Sequence, residues 1–199
     1  MRIRPESVAF IFLLAVLSAL PALATDMSLP ALTQIGASLQ VSPSRAALTL
    51  SVFLVGFAIA PIAYGPLADR YGRRSVLLFC STLFTLASAA CAMAPTLEAL
   101  LAFRAIQGVG AGAGMVMSLT IVRDLFEGQF ARARLSYVAT VRIVAPMIAP
   151  TLGGWVLVMF DWRAIYVFMT IAGAVVTLAV YLGLPESRPA STMLKSLSI

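Results

Sequence analysis

The sequence has no histidine, few charges and almost no cysteine, and each shortage removes a class of function. Without imidazole, no histidine serves as general base, metal ligand or proton relay, so any proton carrier must be a carboxylate. Charged residues make up 11% of the 199 positions, where a soluble domain carries roughly 25%. With 61% hydrophobic residues in long blocks rather than short alternating runs, the chain cannot cover a water-facing surface, and its solvent is lipid. The two cysteines, Cys80 and Cys91, share one apolar block. Helix would set them about 16 Å apart, beyond disulfide reach. They are expected to pack as small apolar residues, and no metal or other cofactor is expected.

What is present is a series of apolar stretches long enough to cross a hydrocarbon core of about 30 Å as helices. Six are expected, at Val8–Leu32, Ala46–Leu67, Ser75–Met93, Leu97–Ile121, Leu135–Phe160 and Ala164–Leu184. Connections are short apart from the polar Gln34–Pro43 stretch and an Arg123–Arg134 loop. Residues 1–187 form one transmembrane bundle in this reading. Residues 188–199 are a cytoplasmic tail or the start of a linker.

The net charge of +6 does not indicate nucleic acid, because the basic residues form no stripe and do not alternate with aromatics. They sort by side instead. Arg2, Arg4, Arg70, Arg73, Arg74, Arg123, Arg132, Arg134, Arg188 and Lys195 fall at one set of span ends, and only Arg45 and Arg163 at the other. That bias fits an even number of spans with both termini cytoplasmic in the inner (plasma) membrane. A competing reading makes the N-terminus a signal peptide: Met1–Arg4 is basic, Val8–Leu20 apolar, and Ala22-Leu23-Ala24 has the form of a cleavage site. Sequencing the mature N-terminus separates the two.

Three motifs follow in order. Between the second and third spans, Gly65, Leu67, Asp69, Arg70, Gly72, Arg73 and Arg74 fill every position of G-x-L-x-D-R-x-G-R-[RK]. Such a loop needs glycine for a tight backbone path at Gly65 and Gly72. The fourth span holds Arg104, Gln107 and Gly108, an R-x-x-Q-G pattern, followed by Gly110, Gly112 and Gly114. The fifth holds Ala145, Pro146, Ala149, Pro150, Gly153 and Gly154, close to G-x-x-x-G-P-x-x-G-G with alanine at the first two glycines. These are similar to motifs A, B and C of the major facilitator superfamily, the last being its antiporter signature. Together with the Thr25–Pro30 segment, Asp161-Trp162-Arg163 and Leu184-Pro185-Glu186-Ser187, the chain resembles the bicyclomycin/chloramphenicol-resistance branch of its drug:proton antiporters.

The resemblance implies an all-α membrane fold of six helices, built as two inverted three-helix repeats and forming one half of a twelve-helix transporter. It implies export of small, largely apolar compounds in exchange for protons by alternating access, with no enzyme chemistry. The other half is a missing C-terminal segment or a second copy. A membrane-embedded assembly or regulatory subunit, or a non-transporting remnant, is the alternative.

Arg104 lies inside the fourth span, where a charge costs at least about 2.5 kcal/mol unless it faces a cavity or partner. It either snorkels to the outer interface or takes the proton-transfer role that the resemblance implies. Asp26 is the one acid placed within a span, and it either faces a cavity or caps an earlier helix end. Both fall in the outer third, so they are expected to face one polar hollow, with Arg104 holding Asp26 ionised. Asp124 is expected to pair with Arg73 beside Asp69, a charge cluster to which the resemblance assigns gating. Gly108 with Gly112, and Gly110 with Gly114, are expected to let other helices close on the fourth span. Pro146 and Pro150 each remove a backbone donor and should bend the fifth. Arg142 has no motif: it snorkels to the cytoplasmic side or faces a cavity.

Overall fold

The structure is a computed structural model and describes residues 7–184. It contains helices α1 (Val8–Asp26), α2 (Leu32–Ser38), α3 (Pro43–Tyr71), α4 (Arg73–Ala92), α5 (Leu97–Leu125), α6 (Gly128–Met159) and α7 (Arg163–Gly183). All but α2 are long and apolar enough to cross a membrane. The tail at 188–199, the Pro185-Glu186-Ser187 match, and Arg2, Arg4, Arg188 and Lys195 lie outside the described residues.

Local chemistry sets most helix starts. The Ser7 hydroxyl accepts from the Phe10 amide, Ser42 from Arg45 and Thr96 from Ala99. Each satisfies an amide that the helix itself leaves without a partner. Pro43 opens α3, where its missing N–H costs nothing. Asp161 accepts from the Arg163 amide at the start of α7.

Three boundaries differ from the sequence reading. The first span stops at Asp26 rather than Leu32, and α2 follows a turn. Hydrophobicity continues past Asp26, but other donors take the Ala24 carbonyl and the helix ends. The Arg123–Arg134 loop is almost entirely helical, because α5 runs to Leu125 and α6 starts at Gly128. Gly128 turns the chain with φ of +57°, which favours glycine. At 32 residues, α6 is about 48 Å long, so its basic first turns project beyond the apolar slab. In motif A, Gly72 has φ of +93° and breaks α3 from α4, as expected. Gly65 instead sits inside α3, where an added Cβ would meet open space. No tight path requires it.

The neighbour pattern carries an internal symmetry. Exchange α1, α3 and α4 with α5, α6 and α7, and each packed pair maps onto another: α3–α5 onto α6–α1, α4–α5 onto α7–α1, α3–α4 onto α6–α7, and α1–α3 onto α5–α6. The α1–α5 and α4–α7 pairs map onto themselves. Successive spans alternate in direction, so α1 and α5 are antiparallel and the two three-helix units are inverted.

Glycine makes α5 the hub. A Cβ at Gly108 would strike the Phe53 carbonyl on α3, one at Gly110 would lie 2.6 Å from the Phe84 amide on α4, and one at Gly114 would lie 2.5 Å from the Leu17 carbonyl on α1. Three helices therefore close on α5 at backbone contact. Helices α5 and α1 are the most buried, and α3 and α6 the least. Ile62, Phe79, Met147 and Val158 are largely exposed. Surface of this kind belongs in lipid or against another protein.

Candidate functional site

Arg104 is fully buried, with 0% of its surface exposed. Its Nε donates to the Thr49 carbonyl of α3 at 3.3 Å. Its Nη1 donates to the Ala24 carbonyl of α1 at 3.1 Å and to Gln107 Oε1 at 2.7 Å. Gln107 passes the connection on, its Nε2 donating to Ser88 Oγ of α4 at 2.7 Å, and Ser88 donates to the Phe84 carbonyl. The guanidinium lies over the Phe53 ring at 4.4 Å and the Tyr166 ring of α7 at 5.7 Å. Arg104 thus ties α5 to α1, α3 and α7, and Gln107 adds α4.

The Ala24 contact explains where α1 ends. The last carbonyls of a helix lack intrahelical donors. At Ala24 the missing donors are Arg104 and the Ser28 hydroxyl, 2.9 Å away. A cation at a helix C-terminus is also favoured by the helix dipole. Arg104 therefore braces and caps.

The expected Arg104–Asp26 hollow is not what forms. Asp26 is half-buried and its only hydrogen-bonding side-chain neighbour among the described residues is the Thr25 hydroxyl, at 3.3 Å. That hydroxyl also lies 3.0 Å from the Pro21 carbonyl, and its single proton cannot serve both acceptors. The reason for the mismatch is radial. Arg104 points into the packed centre, whereas Asp26 faces a hollow of about 230 Å³ bounded by α1, α3, α5 and α6. Arg142, Phe53, Phe57 and Met115 also line it. Arg142, which carries no motif, is half-buried. Gln107, the other polar side chain of the R-x-x-Q-G pattern, is likewise buried at 0% and does not line the hollow. Toward the arginine-rich end, a second groove of about 510 Å³ between α1 and α6 is almost wholly apolar.

The motif A residues assemble as expected. Arg73 donates from Nη1 to Asp69 Oδ1 at 2.6 Å and from Nε to Asp124 Oδ2 at 3.2 Å, joining the α3–α4 turn to α5. Arg74 donates to the Tyr181 carbonyl at 2.6 Å and lies over its ring, fastening the turn to α7. Arg70 lies over Tyr71. The Asp124 side chain is 16% exposed and that of Asp69 56%, so the two bonds differ in worth. Asp124→Asn should cost about 1–3 kcal/mol, and Asp69→Asn under about 1 kcal/mol, read as the order of melting temperatures in detergent.

In motif C, a Cβ at Gly153 would strike the Met27 carbonyl, so this glycine admits the end of α1. Gly154 meets nothing within 4 Å. Pro146 and Pro150 lie within α6, which runs unbroken through both. Gly112 faces the Phe57 carbonyl and Ala60.

The roles of Thr49, Ser88 and the Ala24 carbonyl carry no sequence signal, since the groups used are backbone atoms or common hydroxyls. Arg142 carried one: an unpaired charge in mid-span.

Comparison with known proteins agrees with this architecture. The Major Facilitator Superfamily profile matches residues 12–197. The chain is 39% identical over 186 residues to the uncharacterized MFS-type transporter YdgK of Bacillus subtilis, covering 92% of this chain and 46% of that protein. It is 33% identical to multidrug resistance protein D of Escherichia coli, covering 94% and 47%. It is 31% identical to a bicyclomycin resistance protein homolog of Haemophilus influenzae, covering 90% and 45%. The chain spans about half the length of these relatives. In fold it is similar to a bacterial homolog of the human lysosomal transporter Spinster, with TM-score 0.79 at 18% identity, covering 94% of this chain and 46% of that one. With the six spans, the inverted repeat and three motifs in order, the chain belongs to the major facilitator superfamily.

Proposed function

We propose that this chain forms half of a proton-driven exporter of small, largely apolar compounds, working by alternating access in the inner membrane with both termini cytoplasmic. The observation that carries the reading is the hollow holding Asp26, a half-buried carboxylate at the end of the span-length helix α1 without a cationic partner within 4.0 Å among the described residues. A carboxylate so placed is free to exchange a proton. The apolar walls suit lipophilic compounds with little specificity, Met115 and the two phenylalanines supplying adaptable surface.

A second six-helix half would cover the sparsely buried faces of α3 and α6 and close the hollow from the far side. It is either the continuation of this chain or a second copy. The relatives' length supports such a half. In this mechanism Arg104 and Gln107 together hold α1, α3, α4, α5 and α7 as one rigid body. The Asp69–Arg73–Asp124 cluster latches the arginine-rich end as the halves rock.

Asp26→Asn fixes the side chain in the neutral form. Efflux driven by a proton gradient in inverted vesicles should fall at least about tenfold, because the coupling proton has lost its carrier. Substrate-for-substrate exchange, which moves no proton, should persist at saturating substrate. Unchanged gradient-driven efflux would rule out Asp26 as that carrier.

A further inference from the structure

Arg142 supports a narrower inference that rests on the export reading and names its substrate class. It sits mid-way along α6, half-buried, with no hydrogen bond or ion pair among the described residues. Among the described residues, Asp26 and Arg142 are the only charged side chains lining the hollow. They are not within 4.0 Å of one another. On α1 the lining extends from Ser18 to Asp26, eight residues or about 12 Å. The rings of Phe53 and Phe57 lie along it.

We infer that Arg142 is a specificity-determining residue, and that the preferred substrates are dipolar: an aromatic body with a cationic or donor group toward Asp26 and an anionic or acceptor group toward Arg142. Three alternatives fit less well. A lipophilic cation satisfies Asp26 but is repelled by a guanidinium in the same low-dielectric hollow. An anion satisfies Arg142 but binds best when Asp26 is protonated, so it would travel with the proton rather than against it. A neutral apolar compound leaves both charges desolvated without a partner. A dipolar compound satisfies both charges. A proton arriving on Asp26 then removes the attraction for the cationic end. Proton and substrate compete, as exchange requires, and the planar fork of Arg142 gives the anionic end a directional partner.

The test is equilibrium binding to the full-length protein in lipid nanodiscs, using an intrinsically fluorescent quinolone that carries both an amine and a carboxylate, its methyl ester, and a lipophilic cation of similar size. The zwitterion should bind about tenfold tighter than the ester, as one charge-assisted contact allows. Arg142→Gln should bring that ratio to about twofold or less and raise affinity for the cation. Arg142→Lys, which keeps the charge, should retain most of the preference and guards against a folding artefact. An ester that binds as tightly as the zwitterion, or a ratio unchanged in Arg142→Gln, overturns the inference. If binding and gradient-driven efflux both persist with that ratio unchanged, export stands and only the dipolar preference falls. If none of the three compounds binds the wild type, the export reading falls with it.

Discussion

Lysine at position 104 should be harder on the fold than methionine. Arg104 reaches the Thr49 carbonyl, the Ala24 carbonyl and Gln107 Oε1 from two nitrogens of one plane. Lysine keeps the buried charge but offers a single point donor on a flexible stem, so it cannot span those acceptors together. The insertion cost, about 2.5–3.5 kcal/mol for a charge at mid-membrane, stays, while most of the compensation is lost. Methionine loses the same bonds, each worth about 0.6–1.7 kcal/mol between membrane helices, but also removes the charge. Arg104→Lys should therefore destabilise by about 2–4 kcal/mol and Arg104→Met by about 2 kcal/mol or less. Reversible unfolding in mixed micelles reads the order. The reverse order would show that the charge, not the fork, is what this position needs.

The second large effect is steric. Gly108→Ala places a methyl against the Phe53 carbonyl, a backbone atom held inside α3. The helices must separate, and α5 is the hub on which α1, α3 and α4 close. A cost of about 3 kcal/mol or more is expected, at the upper end for overpacking, and folded yield should collapse. Gly154→Ala is the matched comparison. Nothing lies within 4 Å of a Cβ there, and alanine favours helix by about 0.5–1 kcal/mol. Folded yield should hold or rise. Equal losses at both positions, read by gel filtration of a fluorescent fusion, would contradict the packing described for α5.

Much of this was readable before any coordinates. The apolar blocks gave six spans because a spanning segment must satisfy its backbone internally, and length alone then marks it. The sequence reading failed where charge and helix coincide. The basic residues from Arg123 to Arg134 read as a loop, yet they extend α5 by about one turn and α6 by about two. It failed at Asp26 for the opposite reason: apolar residues continue past the point where Arg104 and Ser28 cap α1. The Arg73–Asp124 contact was foreseeable because both partners are charged and sit on adjacent ends. The true partners of Arg104 were not, because two are main-chain carbonyls, which every residue owns. Depth along the membrane placed Asp26 and Arg104 together, but direction around the helix axis separated them. That direction is a packing outcome, set by which glycines let which neighbours approach.

The most direct test is substrate-driven proton release. Purified protein in weakly buffered detergent, near the pH at which Asp26 is protonated, is mixed with a transported compound and followed with a pH-sensitive dye. Release is predicted from the wild type and from Arg142→Lys, and none from Asp26→Asn, even where Asp26→Asn still binds the compound. Undiminished release from Asp26→Asn would contradict the assignment of the proton to the Asp26 hollow bounded by α1, α3, α5 and α6.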